Sequence, residues 1–194
     1  DCRVLFLYPN ERGMSTIPPS ITSLSQILKD EGHQTALFDT TFYKFDDEIS
    51  IEDSEVTKSK SLENRPVLER DDDDIHFKKT TRSAILDFEA SIESFKPDFI
   101  AVSCTETTFL RAIKLIDQTR HKNIKNLFGG VFPTFAPDLV MNYKNVDMVC
   151  VGEGENAIID LANSISNDED YSNVTNLWIK QNDGSITKNS ISRP

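Results

Sequence analysis

Between Lys125 and Glu155 the chain reads KNLFGGVFPTFAPDLVMNYKNVDMVCVGEGE, where two short apolar runs each end in a pair of glycines. Asn126 to Phe128 runs into Gly129-Gly130, and Met148 to Val151 runs into Gly152-Glu153-Gly154-Glu155, with a helix-length segment between them. Runs this short, closed by turn residues and alternating with helical segments, have the pattern of buried strands in a parallel sheet. In such sheets ligands sit at the loops that follow the strands, and both glycine pairs fall there. Glycine lacks a Cβ and tolerates positive φ, so backbone at these points can turn tightly or lie directly against a ligand. An ordinary strand-to-helix turn accounts for one such pair. Two pairs on consecutive strands point to a ligand site.

The same alternation runs through the rest of the chain. Arg3 to Tyr8 (RVLFLY) is a near-continuous apolar strand that Pro9 ends, and the loop from Asn10 to Pro19 is long for a strand-to-helix connection. Ser20 is placed to cap a helix over Ile21 to Glu31, whose Ile21, Leu24, Ile27 and Leu28 share a face, with Gly32 closing it. Thr35 to Phe38 is a second strand, ending at Asp39. From Thr40 to Thr80 charges dominate, including the run Asp71 to Asp74. Runs of like charge are usually solvated, so this reads as an acidic insertion rather than a metal site.

Helical spacing returns at Thr81 to Phe95 through Ile85, Leu86, Phe88, Ile92 and Phe95, and Phe99 to Cys104 is a third strand. Thr105-Glu106-Thr107-Thr108 then leads into a helix carrying Leu110, Ile113, Leu115 and Ile116. The glycine-ended runs are the fourth and fifth strands, followed by a helix over Asn156 to Asn163. Asn182-Asp183-Gly184 between Asn176–Gln181 and Ser185–Lys188 is a hairpin signal. The expected fold is α/β, a Rossmann-like (flavodoxin-type) doubly wound parallel sheet of five strands in the order 2-1-3-4-5, with a C-terminal β-hairpin. One domain over 1–175, interrupted at 40–80, is followed by the hairpin and the start of a linker over 176–194.

Net charge of −11 argues against a nucleic-acid partner, which needs clustered Lys and Arg. The apolar runs are strand-sized, so no membrane span or secretory signal is expected. Cys2, Cys104 and Cys150 are too scattered for a disulfide framework and suit buried, reduced thiols in a cytoplasmic protein. His33 and His121 fall at the edge of the sheet away from the ligand loops and His76 falls in the insertion, so each reads as a surface residue and no metal site is expected. The chain begins at Asp1-Cys2 without Met and stops at Arg193-Pro194 after the hairpin, as expected of one domain of a longer protein.

The strand order reverses between strands one and three, so the crevice is lined by the Asn10 loop and by Ser103 to Thr107. The two glycine loops extend the same edge. Hydroxyls at Ser15, Thr16, Ser103, Thr105, Thr107 and Thr134, bare backbone and helix N-termini suit a ligand with a neutral or anionic polar tail and a large apolar body. No Gly-x-Ser-x-Gly elbow, Walker loop or GxGxxG after the first strand is present. Receiver domains need an acidic cluster after strand one, Asp ending strand three and Lys after strand five. Asn10-Glu11, Ser103-Cys104 and Gly152-Glu153 stand there instead.

These loops resemble those of the cobalamin-binding domain at the amino terminus of many radical S-adenosylmethionine proteins. The resemblance rests on the Pro-containing loop after strand one, on Ser103 and Thr105, on Gly129-Gly130 with Pro133-Thr134, and on Val151-Gly152-Glu153-Gly154-Glu155. It implies that the cobalamin tail enters a slot between sheet and helices while the corrin ring lies across the C-terminal edge of the strands. Gly129 and Gly130 would leave room for the tail, Ser103 and Thr105 would hydrogen-bond it, and Gly152 to Gly154 would approach the ring or its amides. Asn10, Thr107, Pro133, Thr134, Glu153 and Glu155 complete the implied set, although helix capping alone could explain Glu155. The Asp-x-His-x-x-Gly of other cobalamin domains is replaced by Asn10-Glu11-Arg12-Gly13, so no protein histidine on cobalt is expected. The family's CxxxCxxC, which holds a 4Fe-4S cluster beside S-adenosylmethionine in a following barrel, is absent from this chain. The resemblance therefore implies a cofactor-holding module of a methyltransferase-like enzyme whose catalytic barrel lies elsewhere. Two alternatives stay open: a cofactor-free interaction or regulatory domain using the acidic insertion, and a flavin or nucleotide binder using the same crevice.

Overall fold

Alternation of apolar residues along the strands places two separate cores on the two faces of one sheet. The computed structural model describes residues 1–10, 18–45 and 80–192. Within them run β1 (Arg3–Tyr8), α1 (Pro19–Asp30), β2 (Gln34–Asp39), α2 (Ala84–Phe95), β3 (Phe99–Ser103) and α3 (Glu106–Thr119). Then follow β4 (Lys125–Gly129), α4 (Val131–Phe135), α5 (Pro137–Met141), β5 (Met148–Cys150), α6 (Glu155–Ser166), β6 (Leu177–Lys180) and β7 (Ile186–Lys188). Successive side chains of a strand point to opposite faces. Thus Val4, Phe6, Phe99, Ala101 and Leu127 pack with α1 and α6, while Leu5, Leu7, Ile100, Val102 and Phe128 pack with α2, α3 and α5.

The sheet order is β2-β1-β3-β4-β5-β6-β7, so the five-strand doubly wound core has the expected order. β1 to β5 pair in parallel, and β6 and β7 extend the same sheet antiparallel from β5. The hairpin is thus part of the sheet: Leu177 and Ile179 enter the core under α6, and Trp178 packs on the opposite face. Its turn is set by Gly184 at φ +86° and by the Asp183 carboxylate accepting from the Ser185 N–H at 2.9 Å.

Several local expectations change. α1 begins at Pro19 with Pro18 as its cap, not at Ser20, because proline at the first helical position has its φ preset and no N–H to satisfy. Gly32 does end α1, at φ +84°, with the His33 N–H donating to the Leu28 carbonyl at 2.9 Å. The segment between β4 and β5 is two short helices, not one, because Pro137 forces Ala136 out of helical geometry, to φ −132° and ψ 49°. α6 runs to Ser166, three residues beyond the expected end. Leu86 and Leu110 lie on exposed helix faces. His33 is buried rather than exposed, and its Nδ1 accepts from the Cys2 N–H at 3.1 Å, pinning the start of β1 to the turn after α1. The three thiols are free and buried. The insertion, with Asp71 to Asp74 and His76, lies outside the described residues apart from its two ends, which meet in a parallel bridge between Tyr43 and Thr80.

At the N-terminal edge, away from the strand-end loops, the buried Asp147 joins β4 to the approach to β5. Arg120 grips both of its oxygens, at 2.8 and 3.0 Å, and Lys125 lies at 3.3 Å. The Asn126 backbone and side-chain N–H groups also donate to it, at 3.1 and 2.7 Å. Burial pushes this carboxyl up, but the Arg120 hydrogen bonds and charge, with Lys125 and Asn126, hold it below its ordinary value of 3.8. Removing the charge leaves a cation that rehydrates easily, since the Arg120 side chain is 37% exposed. Asp147→Asn is therefore expected to cost about 1.5–3 kcal/mol, the range for a hydrogen bond to a charged group, in urea unfolding at neutral pH. The wild-type contribution is present in full above 3.8 and is lost as the pH falls through the depressed value. Below 3.8 the stability of Asp147→Asn should therefore fall less steeply than that of wild type.

Candidate ligand cleft

The C-terminal ends of β3, β4 and β5 stop side by side, and the backbone there leaves a cleft. Ser103 and Gly129 are register partners, and the Cys104 N–H continues the ladder by donating to the Gly129 carbonyl at 3.1 Å. Gly130 then turns away at φ +103° and ψ −170°, a conformation essentially confined to glycine. A Cβ there would meet the Cys104 carbonyl oxygen at 2.7 Å, so close approach of two backbones requires glycine whatever else the site does. Gly129 is different. A Cβ there would make only ordinary contacts, 3.8 Å to Cys150 Cβ and 3.9 Å to the Val102 carbonyl. Nothing in the fold requires its bareness; the open space it leaves belongs to the cleft.

The second glycine loop is held from both sides. The Gly152 N–H donates to Thr134 Oγ1 at 3.2 Å, joining the loop after β5 to α4. Asn176 Nδ2 donates to the Glu153 carbonyl at 2.8 Å, and the Val151 N–H donates to the Asn176 carbonyl at 2.9 Å. The segment entering the hairpin thus fixes this lip of the cleft.

The cleft, open to solvent on one side, has a volume of about 440 Å³. Its apolar floor is Phe6, Ala101, Leu127 and Cys150, from the sheet face that packs on α1 and α6. Leu24 and Ile158 from those helices wall it, and Ser20 and Glu155 stand at their N-terminal ends. Ser103, Gly129, Gly130, Thr134, Gly152, Glu153, Gly154 and Glu155, eight of the twelve sequence-proposed site residues, line it. The Ser103 hydroxyl has no hydrogen-bond partner among the described residues and so presents a donor and acceptor to the cleft. Val131 and Phe135 form an apolar lip, with Phe135 84% exposed.

The other four do not line it. Asn10 is buried at the strand end: its amide donates to Thr41 Oγ1 at 2.8 Å, and its carbonyl accepts from Arg111 at 2.6 Å and Thr40 Oγ1 at 2.9 Å. Thr105 caps α3, its N–H donating to Thr108 Oγ1 at 3.1 Å, and its hydroxyl meets that of Thr107 at 3.0 Å. Pro133 is buried inside α4. Ser15 and Thr16 lie outside the described residues. The sequence reading missed Phe6, Ala101, Leu127 and Leu24, whose signal is their place on the α1-facing side of strands and helix.

Among the described residues no Lys, Arg or His lines the cleft, whereas two carboxylates do. Cys150 is pushed up to about 12 by burial, with the charges of Glu155 and Glu153 adding to it, and burial alone pushes Cys104 up to about 12. Both thiols are therefore protonated at neutral pH and unsuited to nucleophilic work. Among the described residues no three His, Cys, Asp or Glu side chains gather as metal ligands. No described helix is long and apolar enough to cross a membrane.

A mostly parallel α/β sheet with an apolar cleft at its C-terminal edge defines a small-molecule-binding class of domain. Residues 67–162 match the model of the B12 binding domain family, which bears out the resemblance read from the loops. Solved structures give the fold. The radical S-adenosylmethionine methyltransferase TsrM from Kitasatospora setae, with tryptophan substrate and a SAM analogue bound, superposes with a TM-score of 0.68 at 16% identity over 100% of this chain. Its form with cobalamin and a 4Fe-4S cluster bound gives 0.68 at 16% over 99%. The cobalamin-dependent S-adenosylmethionine radical enzyme OxsB, with aqua-cobalamin and S-adenosylmethionine bound, gives 0.61 at 14% over 100%. This chain spans only 31%, 29% and 22% of those chains, respectively. No curated protein matches it in sequence.

The two adjacent glycines separate cleft from fold. Gly130→Ala is expected to lose roughly 1–3 kcal/mol in chemical denaturation, from its backbone conformation and the contact with Cys104. Gly129→Ala should stay within about 0.5 kcal/mol of wild type. Equal losses at both positions would show that bareness at Gly129 is structural.

Proposed function

We propose that this chain is the cobalamin-binding module of a radical S-adenosylmethionine enzyme, methyltransferase-like in its chemistry and cytoplasmic in location. The observation that carries the reading is the cleft whose wall at Gly129 is bare without any need of the fold. Its residues fit a corrinoid: an apolar floor between the sheet and α1 and α6 can take the tail, and Ser103 can hydrogen-bond it. Gly152 to Gly154 leave room for the ring, and the lip at Val131 and Phe135 offers apolar surface beside it. When bound, cobalamin would serve as a methyl carrier. This chain's residues would hold the cofactor, orient it and exclude water from its tail, without catalysing a step themselves.

In this reading residues 1–175 form the module, interrupted at 40–80, and 176–194 lead toward a radical SAM barrel carrying the 4Fe-4S cluster and S-adenosylmethionine. A methyl acceptor at an unactivated carbon or phosphorus centre would meet the cofactor at the barrel. A cofactor-free interaction domain is the second reading, and the exposure of Phe135, Val131 and Ile191 along one edge favours it.

Visible absorption titration of the purified chain with hydroxocobalamin and methylcobalamin separates the two. The expected result is a saturable shift of the corrin bands at one equivalent, without the signature of histidine ligation. Gly129→Leu should then weaken binding more than about tenfold, by filling the cleft from a position the fold tolerates. No shift with either corrinoid, by this chain and by a longer one carrying the barrel, would leave the interaction-domain reading.

A further inference from the structure

Asn176 stands one residue before β6, only 3% exposed and with φ at +69°. The conformation belongs to a turn in which the Leu177 N–H donates to the Val174 carbonyl at 3.2 Å, with Asn176 at the position that takes positive φ. Glycine makes such a turn at the least steric cost. The other non-glycine residues of positive φ among the described residues, Lys96, Asn123 and Asp168, are exposed. A side chain kept at such a position inside the protein needs a use.

All four polar groups of Asn176 are bonded, and they divide between two segments. Toward the loop after β5, its carbonyl accepts from the Val151 N–H at 2.9 Å and its Nδ2 donates to the Glu153 carbonyl at 2.8 Å. Toward the segment after β7, its N–H donates to the Ser190 carbonyl at 2.9 Å and its Oδ1 accepts from the Ser192 N–H at 2.7 Å. Its Nδ2 also donates to Ser192 Oγ at 3.0 Å. One planar carboxamide therefore grips both the lip of the cleft and the chain leaving the hairpin. The two segments also lie against each other: a Cβ on Gly152, in the cleft wall, would stand 3.6 Å from Ile191 Cγ2.

We infer that Asn176 is a positioning residue that links occupancy of the cleft to the placement of residues 190–192. It does not line the cleft, so it acts on a ligand only through the loop it holds. Because the carboxamide is rigid, the loop cannot shift relative to Ser192 without stretching a hydrogen bond at one end. A ligand that settles the lip in one position favours the bonded state of Ser192. By linkage, whatever frees Ser192 weakens the ligand by the same factor. In the functional reading proposed above, the segment after β7 leads toward the barrel, and the link lets the rest of the enzyme respond to whether the cofactor is in place.

This inference rests on corrinoid binding, and one experiment separates the two. Amide exchange at Ser192 is followed by NMR with and without saturating hydroxocobalamin in wild type and in Asn176→Gly, which keeps the turn and removes the carboxamide. Affinity is measured by visible absorption for both and for Ser192→Pro, which removes the N–H that Oδ1 accepts. In wild type, hydroxocobalamin should slow exchange at Ser192 about fivefold, and each variant should bind it about fivefold more weakly. In Asn176→Gly, exchange at Ser192 should be fast and indifferent to the ligand. A role confined to stability would shift thermal unfolding and leave Ser192 blind to the ligand in wild type. That result, protection that persists in Asn176→Gly, or unchanged affinity in Ser192→Pro overturns the inference while leaving corrinoid binding intact. If Asn176→Gly does not fold, Ser192→Pro, at an exposed position, decides alone. Failure of wild type to bind hydroxocobalamin overturns the functional reading together with the inference.

Discussion

Two backbones touch at the point where β3 and β4 end, and most of the candidate site depends on that contact. Gly130 passes so close to Cys104 that no side chain fits between them, and its φ of +103° sends the chain directly into α4. That turn sets Thr134 where its hydroxyl accepts from the Gly152 N–H, which joins the loop after β4 to the loop after β5. The parallel ladder does the rest. Because Ser103 and Gly129 are register partners, the residue with a free hydroxyl and the residue with no side chain stand next to each other at the same height. The cleft is the consequence of a sheet edge that ends in register and a turn that only glycine makes.

Polar groups elsewhere along the sheet are spent inside the protein, which explains why the cleft is narrower in chemistry than the sequence implied. At the β1 and β2 ends, Asn10, Thr40, Thr41 and Asp39 form one internal network, with Arg111 reaching it from α3 while stacking on Phe45 at 4.4 Å. At the opposite edge Asp147, Arg120 and Asn126 do the same for β4 and β5. A buried polar group left unpaired costs about 1–3 kcal/mol, so residues this deep are committed to one another before any ligand arrives. What remains uncommitted at the cleft among the described residues is Ser20, Ser103, Glu153 and Glu155.

The fold was legible because strand and helix periodicities differ and each segment kept to one of them. Strand number, order and hairpin all follow from apolar runs and turn residues. The errors fell where a local backbone rule overrode periodicity: Pro18-Pro19 moved the start of α1 ahead of Ser20, and Pro137 cut one expected helix in two. The site was legible at its glycines and less so at its hydroxyls. A glycine after a strand has few uses, whereas a threonine before a helix has a common one, and Thr105 and Thr107 are spent on the start of α3. Proximity to the switch point could not reveal that Asn10 turns inward, since its partners Thr40 and Thr41 lie 30 and 31 residues along the chain.

The adjacent glycines show why a sequence motif is an incomplete guide to a site even when it falls in the right place. Gly129 and Gly130 read alike as letters, yet one is glycine because of backbone conformation and contact, and the other has room for a side chain that it does not carry. A position that the fold would let carry a side chain, in the wall of an apolar cleft, is where bareness needs an explanation outside the fold. Alanine at Gly129 would add contacts without strain. A ligand occupying the cleft removes the anomaly, because the apolar surface left bare by the chain is then covered by something else. The fold is similar to that of cobalamin-bound TsrM, and residues 67–162 match the B12 binding domain family. The physical argument for a ligand stands on Gly129 without either of them.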